Sequence, residues 1–119
     1  MKPTSAPMPT FEPGDLIKVP FPYTDRPVRQ RRPAFVVAAA DVQRDHGLLW
    51  VLMVTSAENK RWPSDVVVTD HARAGLPAPS VIRTAKIATI EAADAEPLGS
   101  APPDVAEQVL SAVRARIGS

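Results

Sequence analysis

Apolar residues recur along this chain in short runs with a period near two, and only the last segment changes to a helical period. Asp15 to about Phe21 predicts a first strand, launched by the turn Glu12-Pro-Gly-Asp15. Pro20 and Pro22 deprive one edge of that strand of N–H donors, so it must end or bulge there. Pro33 to Ala40 is apolar enough to be covered on both faces and predicts a second strand. Asp45-His-Gly47 reads as a turn, and Leu48 to Thr55 as a third strand that forms a central hairpin with the second. A short strand is expected at Asp65 to Thr69, and Val81 to Ile90 reads as one strand or two shorter ones. Val105, Val109, Val113 and Ile117, with Leu110 beside them, then lie on one helical stripe. Pro102 and Pro103 suit the start of that helix, Asp104 and Glu107 its positive end, and Arg114 and Arg116 its negative end.

About five short strands followed by one amphipathic helix predict a mainly β, α+β domain: a small barrel with a helix packed on it. Residues 1–10, with Pro3, Pro7 and Pro9 among small and polar neighbours, read as a flexible tail, and residues 11–119 as the domain. A length of 119 residues supports one domain and one modest core. The formal net charge of +1 supplies no global field toward nucleic acid or membrane, so any nucleic-acid site must be local. With no cysteine, the chain has neither disulfides nor thiol chemistry. The longest strongly apolar run, Leu48 to Val54, is too short for a membrane helix, and the N-terminus lacks a signal-peptide core; a cytoplasmic protein is expected.

Local charge is another matter. Arg26, Arg29, Arg31 and Arg32 crowd into seven positions at the mouth of the second strand, in a polar loop running from Tyr23 to Arg32. A solvated charged loop explains this blandly, and a phosphate site explains it sharply. Arg32 precedes Pro33, which biases its backbone to an extended conformation, and its guanidinium forks two donors suited to a phosphate. Thr55-Ser56 ends the third strand, where a hydroxyl can meet the same ligand, and Arg83 sits on a later strand within reach of both. Taken singly, each has a plainer role: Arg32 as a loop charge, Thr55 as a strand-end hydrogen bonder, Arg83 as half of an ion pair. His46 and His71 have no partner at ligand spacing, and no metalloprotease, phosphate-loop or serine-elbow motif is present. No metal site and no cofactor is expected.

The fragments "GDLIKVPFPYTD", "RRPAFVV", "MVTS", "WPSDV", "AGLPAPSVIRT" and "KIATI", in this order and spacing, resemble the PemK/MazF family of toxins from bacterial type II toxin–antitoxin systems. The resemblance runs from about Pro13 to the C-terminal helix. It implies an SH3-like small barrel with a C-terminal helix, a homodimer, a cognate antitoxin as partner, and metal-independent cleavage of single-stranded RNA. In that chemistry the ribose 2′-hydroxyl attacks the adjacent phosphate and leaves a 2′,3′-cyclic phosphate. The resemblance assigns catalytic roles to Arg32, Thr55 and Arg83, with Arg32 neutralising transition-state charge and Thr55 either holding a phosphate oxygen or orienting the attacking hydroxyl. Arg26, Arg29, Arg31 and Ser56 are assigned to RNA binding, as is Trp62, either stacked on a base or fixed at a strand entrance beside Pro63. Two departures stand out. Ala85 occupies a position where many relatives hold aspartate, and the arginine loop lacks an acidic or histidine residue before Arg-Pro, leaving Asp25 and Glu58 as substitute acid–base groups. Alternatives under the same resemblance are a toxin that binds RNA or antitoxin without cutting, and a gyrase poison on the same fold.

Overall fold

The computed structural model describes residues 9–20 and 31–117. In chain order the elements are β1 (Asp15–Pro20), β2 (Arg31–Val36), α1 (Ala40–His46), β3 (Leu48–Ser56), β4 (Asp65–Val67), β5 (Ser80–Glu91), a 3-10 turn (Ala92–Asp94), β6 (Glu96–Ser100) and α2 (Pro103–Arg116). The six strands form one antiparallel sheet in the order β4-β5-β3-β2-β1-β6. The outer strands β4 and β6 pair only inward, so the expected small mainly β domain with its C-terminal helix forms an open sheet rather than a closed ring.

Strand alternation builds a core on each face of this sheet. Leu16, Phe35, Leu52, Val54 and Ile82 point one way and pack with Val105 and Val109 of α2. Their neighbours Ile17, Val19, Ala34, Val36, Val51 and Met53 point the other way, toward Phe11, Ala92 and Ile90. The central strands are therefore covered on both sides, as their near-continuous apolar character required. In α2 the stripe of Val105 and Val109 is buried as expected, but the helix ends at Arg116 and Ile117 beyond it is 69% exposed.

Two elements escape the strand pattern. The second strand stops at Val36, and residues expected to complete the hairpin turn instead form α1, closed by Gly47 at φ 68° with its N–H on the Gln43 carbonyl at 2.8 Å. Alanines 38–40 favour neither periodicity; within the helix Gln43 is buried, and its amide accepts from the Phe11 N–H at 3.0 Å and donates to the Pro9 carbonyl at 2.7 Å. Strand β6 (EPLGS) is polar and carries a proline, a composition tolerated only on an edge. Its register against β1 jumps from Leu16↔Gly99 to Ile17↔Pro97, so Leu98 is the extra residue of a bulge.

A second bulge interrupts β5. Leu52 faces Ile87 while Met53 faces Arg83, so the register with β3 skips Thr84, Ala85 and Lys86. The connector between β4 and β5 is pressed against β6 by two glycines: a Cβ on Gly75 would lie 2.3 Å from the Leu98 carbonyl oxygen, and one on Gly99 2.3 Å from that of Ala74. No helix among the described residues is long and apolar enough to cross a membrane.

Candidate functional site

Pro33 is the local cause of the site. It has no N–H to give to a ladder, and the pairing of β2 with β3 begins only at Ala34↔Met53. Continuing that register two residues toward the strand ends places Arg32 level with Thr55. There the two strands part, and a groove of about 730 Å³ opens between them and the connector that Gly75 and Gly99 hold against β6. Lys18, Arg31 and Arg32 supply its positive side, Thr55 and Ser56 its hydroxyls, and Leu76, Pro77, Pro79 and Leu98 an apolar wall. No carboxylate is among its described lining residues.

Two donors in this groove have no acceptor among the described residues. The Arg32 Nε is buried and has no hydrogen-bond partner, a state that costs about 1–3 kcal/mol or more unless something accepts from it. Thr55 is 3% exposed, and its Oγ1 accepts a hydrogen bond from the Asn59 side-chain amide at 2.6 Å. An acceptor lone pair of the hydroxyl is thus occupied, and its O–H is left to donate. A cation with an orphaned N–H and a hydroxyl with an O–H to give, lining one groove with no carboxylate among its described residues, suit a tetrahedral oxyanion. Next along β3, the Ser56 Oγ accepts from the Glu58 N–H at 3.1 Å and shapes the turn.

The other expected site residues are elsewhere or otherwise engaged. Arg31 reaches the groove's rim, but its Nη2 donates to the carbonyls of Lys18 and Asp94, both at 3.2 Å, and pairs with Glu96 at 3.1 Å. It fastens β2 to β1 and to the 3-10 turn. Arg83 does not line the groove. Its Nε and Nη2 grip the two oxygens of Asp65 at 3.2 and 3.0 Å, Nη2 also donates to the Lys60 carbonyl at 2.8 Å, and its guanidinium lies 4.3 Å from the centre of the Trp62 ring. The expected convergence of Arg83 with Arg32 and Thr55 is replaced by an ion pair, the plainer of the two roles open to it. Trp62 keeps an exposed face while Arg83 and Lys86 approach its ring, the latter at 5.9 Å. Glu58 is exposed on the turn, and Ala85 lies exposed in the β5 bulge; neither lines the groove. Asp25, Arg26 and Arg29 fall outside the described residues.

Asn59 and the connector wall were not legible as site residues. Asn59 sits in a stretch that reads as an ordinary polar loop, and only the fold of the 56–59 turn carries its amide back to Thr55. Asp65 did carry a signal, since an acidic residue opening a strand that pairs with the Arg83 strand invites a cross-strand ion pair.

The sequence from residue 12 to 117 matches the profile of the PemK-like, MazF-like toxins of type II toxin–antitoxin systems. Comparison with curated proteins gave no match. Among solved structures, the fold is similar to MazF from Deinococcus radiodurans in one crystal form, with TM-score 0.74 and 26% identity over 92% of this chain and 98% of that one. It is likewise similar to a MazE-MazF structure from the same organism, with TM-score 0.71 and 26% identity over 92% of this chain and 96% of that one. A mycobacterial endoribonuclease in complex with its cognate antitoxin shares the fold at 14% identity, with TM-score 0.70 over 93% of this chain and 96% of that one. With the profile spanning nearly all of the described residues, this chain belongs to the PemK-like, MazF-like toxin family of type II toxin–antitoxin systems.

Proposed function

We propose that this toxin is an endoribonuclease that cleaves single-stranded RNA at the Arg32–Thr55 groove. The observation that carries the reading is the buried Arg32 Nε, without a partner among the described residues, in the groove that the Thr55 hydroxyl also lines. In the reaction a ribose 2′-oxygen attacks the neighbouring phosphorus and loses its proton, the bond to the 5′-oxygen breaks, and that oxygen takes up a proton. The products are a 2′,3′-cyclic phosphate and a 5′-hydroxyl. Negative charge grows on the non-bridging oxygens as the phosphorus becomes five-coordinate. Arg32 stabilises it by charge and by the N–H that nothing else accepts, and Thr55 donates a second hydrogen bond, both preorganised before substrate arrives. Lys18, with Arg26 and Arg29 of the chain between β1 and β2, holds flanking phosphates without reading sequence. Trp62 offers an exposed ring face for an unpaired base. Arg31 contributes by fixing the groove's rim. With guanidinium groups supplying the charge stabilisation, cleavage is expected to persist in excess EDTA.

The toxin is further proposed to act as a homodimer and to be restrained by a cognate antitoxin, in line with the MazE-MazF and endoribonuclease–antitoxin complexes that share its fold. An extended acidic segment suits a groove lined by cations, with no carboxylate among its described lining residues.

The test is incubation of the purified protein with a long single-stranded RNA of known sequence. Discrete fragments ending in 2′,3′-cyclic phosphates are expected, and their loss on Arg32→Ala. RNA left intact by the wild type at enzyme excess would favour a toxin that binds without cutting.

A further inference from the structure

Resting on the ribonuclease reading, we infer that Asn59 is a positioning residue of the site: its side-chain amide, by donating to Thr55, makes the threonine a dedicated donor to a phosphate oxygen.

A threonine hydroxyl has one proton to give and two lone pairs that accept. Left alone it rotates among partners, and at a strand end it has the carbonyls of its own backbone within reach. At Thr55 that freedom is removed. The Asn59 Nδ2 is 2.6 Å from Oγ1, and an amide nitrogen has only donors, so the hydroxyl accepts in this contact and its proton points elsewhere. The two groups are held in this relation by the turn: the Asn59 N–H donates to the Ser56 carbonyl at 3.1 Å, and the Glu58 N–H to the Ser56 Oγ at 3.1 Å. Thr55 is β-branched and almost fully buried, which stiffens it further. A hydroxyl that accepts from an amide is also a stronger donor, because hydrogen bonds in a chain polarise one another. Of the two roles open to Thr55, donation to a non-bridging phosphate oxygen is the one this geometry serves. Acceptance of the proton from the attacking 2′-hydroxyl is the one it weakens.

The inference predicts a coupling rather than a simple loss. Asn59→Ala should slow single-turnover cleavage of a short RNA by about three- to tenfold, the value of one neutral hydrogen bond. Asn59→Asp should slow it more, since a carboxylate accepts the Thr55 proton and takes the donor away from the substrate. In a Thr55→Val background, Asn59→Ala should change the rate less than twofold. If Asn59 merely held the turn, it would cost the same factor in both backgrounds, and that result overturns the inference. The same cycle is run on inorganic phosphate affinity. If wild type cuts no RNA but its phosphate affinity shows the coupling, the ribonuclease reading falls and the role of Asn59 stands. A wild type that neither cuts nor binds phosphate sinks both. In the free protein, the Asn59 side-chain NMR signals should shift on Thr55→Val; unchanged signals also refute the contact.

Discussion

Arg83 and Asp65 meet as a two-pronged ion pair, Nε to Oδ1 at 3.2 Å and Nη2 to Oδ2 at 3.0 Å, with side chains 8% and 1% exposed. They face each other in register across β4 and β5, and the Lys60 carbonyl and Trp62 ring close over the guanidinium. A buried pair contributes little net stability against an apolar replacement, but losing one partner strands the other charge away from water. Arg83→Ala should therefore destabilise the protein by about 3–5 kcal/mol, read as a lower midpoint in urea. A variant with wild-type stability and lost cleavage would return Arg83 to a role in the chemistry.

Arg32→Ala should behave in the opposite way. Because its Nε has no partner among the described residues, removal breaks no hydrogen bond to them there, and the unfolding midpoint should stay level or rise. Cleavage should fall by about 10² to 10³, the effect of losing one preorganised donor. Arg32→Lys should restore little, since an ammonium cannot reproduce the fork. Rate and unfolding curve measured on the same preparations separate Arg32 from Arg83 cleanly.

Gly75→Ala tests the groove's far wall. Gly75 has φ +89°, and its added Cβ would stand 2.3 Å from the Leu98 backbone oxygen, so the connector must move off β6. The expected cost is about 2 kcal/mol or more from strain and overpacking together, with weakened phosphate binding. Gly47→Ala is the control: its φ is +68° but nothing lies within 4 Å of the new Cβ, so only about 1 kcal/mol is expected. Equal losses at the two glycines would mean that the connector is not pinned by close approach.

Gln43→Ala should loosen the attachment of the N-terminal segment. It leaves the Phe11 N–H without its acceptor and removes the donor to the Pro9 carbonyl. A loss of about 1–3 kcal/mol, with faster hydrogen exchange at the Phe11 amide, is the expected outcome. An unchanged exchange rate would show that Phe11 is held by apolar packing alone.

Much of this architecture is local and was legible without the fold. Short apolar runs marked β1, β2, β3, β4 and β5, and valines at helical spacing marked α2, because at least one face of each element has to be buried. The association of Arg32 with Thr55 was legible too. Proline both extends the residue before it and withholds a ladder donor, so an arginine before Pro33 must stand where β2 and β3 separate. Against this, α1 and β6 were not readable, because neither carries its own periodicity. The first is tied by Gln43 to Phe11, 32 residues away, and the second pairs with the edge of β1. The ion pair of Arg83 arises in the same way, from a carboxylate 18 residues distant that the β4–β5 register brings opposite it. Asn59 is only 4 residues from Thr55, yet its part depends on a turn whose closure no propensity announces. Periodicity and proline act on neighbours along the chain, and so β1 to β5, the C-terminal helix and the position of the cation could be read from the residues alone. Which donors are satisfied, and which are left to face a ligand, depends on groups brought together from distant segments, and that only the tertiary structure decided.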